Sequence, residues 1–108
     1  MKHVIVFFAI LMSTLSLAQS PVSSTAPATT VTIDNFTFSP MTIEVQRGAT
    51  IKWINKDDIP HVVASTAGVF KSRAIDTDGS FVFTFTEPGT YEYYCSVHPK
   101  MTGKVVVK

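Results

Sequence analysis

The sequence predicts an all-β sandwich or barrel, and three observations carry that reading. Short runs of alternating apolar and polar residues recur along most of the chain. Clusters built on Gly and Pro separate those runs at the spacing of turns. No long segment repeats its apolar residues with the period of a helix. The chain has 108 residues, 45% of them hydrophobic and 16% charged, which is enough for one globular domain and too apolar for a disordered one.

The elements follow in order. Val31–Phe38 holds Val-Thr-Ile and then Phe-Thr-Phe, both rich in strand formers. Thr42–Val45 alternates Ile43 and Val45 with Thr42 and Glu44, and Arg47-Gly48 reads as a turn. Thr50–Asn55 puts Ile51 and Trp53 on one side and Lys52 on the other, with Trp53 expected in the core. His61–Ser65 is a further β-branched run, and Asp76–Ser80, with Gly79, is a polar turn. Phe81, Phe83 and Phe85 alternate with Val82 and Thr84, and Pro88-Gly89 follows as a turn. Tyr91 and Tyr93 alternate with Glu92 and Tyr94 and are expected to pack inside. Gly103–Lys108 closes the chain with three consecutive valines.

The N-terminus reads as a targeting segment. Met1-Lys2-His3 is a short positive region, Val4 to Leu17 is almost unbroken apolar sequence, and Ser16-Leu17-Ala18 offers small residues for cleavage. The apolar run is shorter than the roughly 20 residues of a spanning helix, so residues 1–18 are expected to be a cleaved signal peptide with cleavage after Ala18. No membrane span is expected to remain after cleavage. Residues 19–30 are rich in Ser, Thr, Ala and Pro, without charge, and read as a flexible leader. The folded domain is expected over 31–108. Loss of Lys2 leaves eight cationic residues against eight acidic ones. That balance argues against a nucleic-acid binder or a polybasic membrane-surface protein. A single cysteine excludes a disulfide scaffold and a four-cysteine metal site within one chain.

The chemistry concentrates in Cys95-Ser96-Val97-His98-Pro99-Lys100-Met101. A thiol, an imidazole and a thioether recur at every third residue, in what reads as a loop between two strands. A second imidazole, His61, follows Pro60. Each residue alone has an ordinary explanation: a buried small Cys, core-filling Met, a surface His. Together they take in every Cys and His that remains after cleavage. A thiolate, two imidazoles and a weak thioether suit copper in both oxidation states. Structural zinc requires a fourth strong ligand, which Met is not. Coordination also accounts for a lone thiol in an oxidising compartment.

With these residues in view, the chain resembles the cupredoxins, the small type 1 blue copper proteins, and within them the amicyanin/plastocyanin branch. The resemblance covers about Val31 to Lys108. It rests on Phe36-Thr37-Phe38-Ser39-Pro40, Val45-Gln46-Arg47-Gly48, Ile51-Lys52-Trp53-Ile54-Asn55, Pro60-His61, Phe83-Thr84-Phe85, Pro88-Gly89-Thr90-Tyr91, and Tyr94-Cys95 onward. The Cys-x2-His-x2-Met spacing is the short ligand loop associated with amicyanins. The resemblance implies a Greek-key β-sandwich or barrel of about seven to eight strands. It implies one type 1 copper per chain, with His61, Cys95 and His98 as strong ligands and Met101 as the weak axial one. Val62 departs from the pattern, since these families commonly place Asn after the first His ligand; its backbone N–H remains available to the Cys95 sulfur.

The implied function is a periplasmic one-electron carrier that shuttles electrons between redox partner proteins, and not an enzyme. A periplasmic dehydrogenase as donor and a c-type cytochrome as acceptor are what the amicyanin likeness implies. Docking is expected near Ile59, Pro60, Val97, His98 and Pro99, with Lys100 as a cationic rim and the protein a monomer. The alternative is a periplasmic copper-binding or copper-delivery protein using the same ligands. The sequon Asn35-Phe36-Thr37 reads as coincidental.

Overall fold

A computed structural model describes residues 29–108, which form two packed four-stranded sheets. The expected signal peptide (1–18) and nearly all of the expected leader (19–30) lie outside the described residues. The eight strands are β1 (Thr29–Asp34), β2 (Thr37–Ser39), β3 (Thr42–Val45), β4 (Ala49–Asn55), β5 (Ala64–Ser65), β6 (Ser80–Phe85), β7 (Gly89–Cys95) and β8 (His98–Val107). Strand β1 begins at Thr29, slightly ahead of the Val31 boundary suggested by the sequence. One sheet has the order β2-β1-β4-β6, the other β3-β8-β7-β5. The chain changes sheet at every connection from β2 to β7, so sequence neighbours mostly face each other across the core. Two pairs, β1–β4 and β3–β8, are parallel, and the rest are antiparallel.

The period of two in the sequence is what divides inside from outside. Val31 and Ile33 on β1, Ile51, Trp53 and Asn55 on β4, and Tyr93 and Cys95 on β7 point inward and are wholly or almost wholly buried. Trp53 sits among aromatic rings: Phe70 at 5.7 Å, Phe81 at 5.6 Å and Tyr93 edge-on at 5.4 Å. Tyr91 is half-buried and its hydroxyl donates to the Glu87 carbonyl (2.7 Å), pinning the turn into β7. Gly89 opens that strand at φ 148°, a conformation open to glycine.

Two local expectations are corrected. The run His61–Ser65 is not one strand: only Ala64–Ser65 pairs as β5, while His61 makes an isolated bridge to Ile75. The residues before Ala64 are drawn inward instead of along a sheet edge, with His61 and Val63 fully buried. Nor do His98 and Met101 lie in a loop. The reversal is only Ser96-Val97, and both residues belong to β8. The pairing is irregular there: Cys95 faces His98 and Tyr94 faces Thr102, so Pro99, Lys100 and Met101 have no opposite residue. Pro99, which lacks an N–H for the ladder, falls in this irregular stretch.

Candidate metal centre

One end of the sandwich collects the C-terminal ends of β1, β4 and β7 and the start of β8. The connection from β4 to β5 runs across this end and carries His61. Its path is fixed by a buried side chain, Asn55, at the end of β4. Asn55 Nδ2 donates to the carbonyls of Ile59 and Ile75, both at 2.8 Å, and Asn55 Oδ1 accepts from the Asp57 N–H at 2.8 Å. The last contact is the local Asx turn that asparagine favours. With every polar atom of Asn55 occupied, the loop has little freedom before it reaches Pro60 and His61. The His61 backbone is then held from both sides, N to Ile75 O and Ile75 N to His61 O.

The imidazole of His61 is fully buried and its Nε2 lies 2.8 Å from Asp57 Oδ2. A carboxylate facing Nε2 places the ring proton there and leaves the Nδ1 lone pair free. That lone pair faces Cys95. Asp57 itself also accepts from two backbone donors, Phe36 N at 2.9 Å and Asn35 N at 2.5 Å. Partial burial pushes its carboxyl up, but these two N–H groups and His61 outweigh it and hold the pKa below the ordinary value.

Cys95 is fully buried at the end of β7. Its Sγ lies 3.6 Å from His61 Nδ1 and 3.8 Å from His98 Nδ1, and it accepts the Val62 N–H at 3.3 Å. The Val62 backbone therefore reaches the sulfur as its position after His61 suggested. The three donor atoms lie within 4.8 Å of one another. An ion about 2.0 Å from nitrogen and about 2.3 Å from sulfur, with about 120° between them, spaces N and S about 3.7 Å apart. The observed separations match that spacing, so the donor set fits a single common ion. Met101, three residues beyond His98, is buried under the same end of the sheet. The structure thus brings His61, Cys95 and His98 to one point, with Met101 buried beside them.

His98 is half-buried, unlike His61. Around it a shallow groove is lined by Phe36, Val97, Pro99, Lys100 and Met101. Of the residues expected in a docking patch, Pro60, Val97 and Pro99 are exposed and Ile59 is half-buried. Three contributors were not singled out from sequence: Asn55, Asp57 and Phe36. Asn55 and Asp57 carry a readable signal, an Asn with an acid two residues on and a His four residues beyond the acid. Phe36 carries none, because its reach to the site depends on where the β1–β2 turn lies against His61 and His98, which are far along the chain.

A family model, the cupredoxin-like domain, matches residues 5–107. The chain belongs to the cupredoxin-like family. Among its cupredoxin relatives, an amicyanin of Paracoccus versutus is 33% identical over 88 residues, covering 77% of this chain and 67% of its own. An amicyanin of Paracoccus denitrificans is 42% identical over 71 residues, covering 61% of this chain and 54% of its own. A plastocyanin of Daucus carota is 35% identical over 83 residues, covering 65% and 86%. Among solved structures, a mutant amicyanin in its Cu(I) form superposes with a TM-score of 0.73 at 37% identity, covering 79% of this chain and 87% of the other. The two-sheet cupredoxin frame and the metal-type donor cluster at its end therefore occur together in this chain.

Proposed function

We propose that this cupredoxin is an exported one-electron carrier in which His61, Cys95 and His98 would hold one type 1 copper as strong ligands and Met101 would hold it weakly. The observation that carries the reading is the convergence of one thiol sulfur and two imidazole Nδ1 atoms at 3.6 and 3.8 Å on a buried point. When bound, copper supplies the one-electron chemistry by cycling between Cu(I) and Cu(II). The chain supplies everything else. Asp57 keeps the His61 proton on Nε2, so Nδ1 stays a donor in either redox state. The Val62 N–H draws charge from the Cys95 sulfur. The full burial of Cys95 and His61 excludes water from the sulfur side.

His98 is the half-exposed member of the cluster and serves as the electron port, with Val97 and Pro99 as the apolar surface about it. Docking there is small and transient, with redox proteins as partners; a dehydrogenase donor and a c-type cytochrome acceptor follow from the amicyanin likeness. Function as a carrier and not an enzyme, and export to the periplasm, belong to the same proposal. The enclosed position of Cys95 and His61 favours electron transfer over copper delivery, which needs an open site to exchange metal.

The test is to add one equivalent of Cu(II) to the purified chain and record visible and EPR spectra before and after a reduction cycle. An intense thiolate-to-copper band with narrow hyperfine splitting, lost in Cys95→Ser and restored intact on reoxidation, supports the carrier. A pale spectrum, or copper lost on reduction, overturns it and favours delivery.

A further inference from the structure

Between β1 and β2 the chain reverses through Asn35 and Phe36, both in the left-handed region at φ 53° and 57°. A two-residue hairpin turn of this hand suits Asn first and Gly second. A bulky Phe at the second position is strained there, and strain of that kind persists only where something else holds it. Two features of the surroundings do so. The Asp57 carboxylate accepts both turn amides, Asn35 N–H and Phe36 N–H. The Phe36 ring meets both imidazoles of the site edge-on, His61 at 5.6 Å and His98 at 5.1 Å between centroids. The ring is nevertheless half exposed, so burial of its own surface does not explain its place.

We propose that Asp57 is a positioning residue that clasps the Asn35–Phe36 turn to His61, and that the turn thereby holds Phe36 as an aromatic cap over the two histidines. One carboxylate, only 11% exposed, is shared between the turn and the imidazole, so neither moves without the other. The cap stands between solvent and the outer edges of His61 and His98, where a chelator or small redox reagent would approach the ion. The clasp itself needs no metal; the shielding role rests on the copper reading above.

The clasp is tested first in the metal-free protein by amide hydrogen exchange and by NMR of the imidazole protons. The Asn35 and Phe36 amides are expected to be protected in the wild type although both residues are exposed. Asp57→Ala is expected to speed their exchange by about 10- to 100-fold, the worth of a hydrogen bond to a charged acceptor. It is also expected to weaken the ring-current shifts that Phe36 imposes on His61 and His98. Unprotected wild-type amides overturn the proposal whether or not the variant folds. Phe36→Gly separates capping from structure, because it relieves the turn while removing the ring. It is expected to leave the melting temperature unchanged or raised, yet to speed copper removal by a soluble chelator several-fold. In Asp57→Ala the same Phe36→Gly change is expected to add nothing to that rate. A Phe36→Gly protein that melts lower and loses copper at the wild-type rate overturns the cap. Protected amides in a protein that takes up no copper count against the copper reading and for the clasp.

Discussion

Replacing Gly103 by alanine is expected to destabilise the fold heavily, although it adds a single methyl group. Gly103 is buried on the inner face of β8, directly opposite Tyr93 on β7. A Cβ placed there falls inside contact distance of Tyr93 Cζ and Oη and reaches Cε2 at 2.8 Å, where ordinary contacts begin at 3.4 Å. The ring would have to retreat by about 1 Å, against the rings already packed on it. Phe38 packs edge-on against it at 4.7 Å, Trp53 at 5.4 Å, and Phe70 lies at 6.4 Å. Overpacking of a tight core costs about 1–3 kcal/mol, and a ring packed against three other rings belongs at the upper end. In a domain of this size each kcal/mol is about 4–8 °C, so the melting temperature should fall by about 10–20 °C. The assay is thermal and urea denaturation of the metal-free chain followed by far-UV circular dichroism. Tyr93→Leu, which removes the obstructing ring, should cost less in the alanine background than in the wild type, with a coupling above about 1 kcal/mol. A Gly103→Ala protein that melts within about 3 °C of the wild type refutes the reasoning, as do two costs that simply add.

Two further outcomes follow from named groups. Burial pushes the Tyr93 phenol up to about 12 from 10.0, against a small opposing pull from the nearby Trp53. The unfolded chain then loses its proton first as pH rises. Stability that is complete below pH 10 should drain away between about 10 and about 12, by about 2–3 kcal/mol, and spectrophotometric titration should show a tyrosine ionising near 12, a step that Tyr93→Phe removes. Val62→Pro removes the N–H that donates to Cys95 Sγ at 3.3 Å. The copper-loaded variant should stay blue with a reduction potential lower by on the order of 50 mV, because a sulfur relieved of its donor favours Cu(II); voltammetry reads this, and an unchanged potential removes the Val62 amide from the tuning of the site.

The donor cluster was legible because its residue types are scarce. Once cleavage after Ala18 is assumed, the sequence offers two histidines and one cysteine, and a thiol has few other reasons to persist unpaired in an oxidising compartment. The strands were legible because β4, β6 and β7 keep a strict alternation. What failed to show was register. Residues three apart on a regular strand face opposite ways, and a loop that turns His98 and Met101 inward was the reading the sequence supported. The unpaired stretch Pro99–Met101 shifts the phase and turns both inward while the chain is still in β8. Nothing local announces that shift, since it depends on where Cys95 and Tyr94 meet the partner strand. Gly103 was equally opaque: it reads as the residue that opens the last strand, and only the opposing Tyr93 reveals it as the floor beneath a ring.

The division of the proposed ligands between the sheets gives the site its mechanical character. Cys95, His98 and Met101 come from adjacent strands of one sheet, while His61 arrives on the connection leaving β4 of the other. An ion held by all of them would therefore tie the two layers together at their open end. A ligand that binds only the folded state stabilises it by mass action, and a domain this small has much to gain. Yet the order of the site does not wait for the ion. Asn55 fixes the loop, Asp57 fixes the His61 ring and its proton, and Val62 fixes the sulfur, each through a hydrogen bond within the protein. Those bonds constrain the same donors whichever charge the ion carries, so a change of oxidation state has little protein to rearrange. A delivery site requires the opposite, ligands that come free in turn, and here only the half-exposed His98 has that latitude.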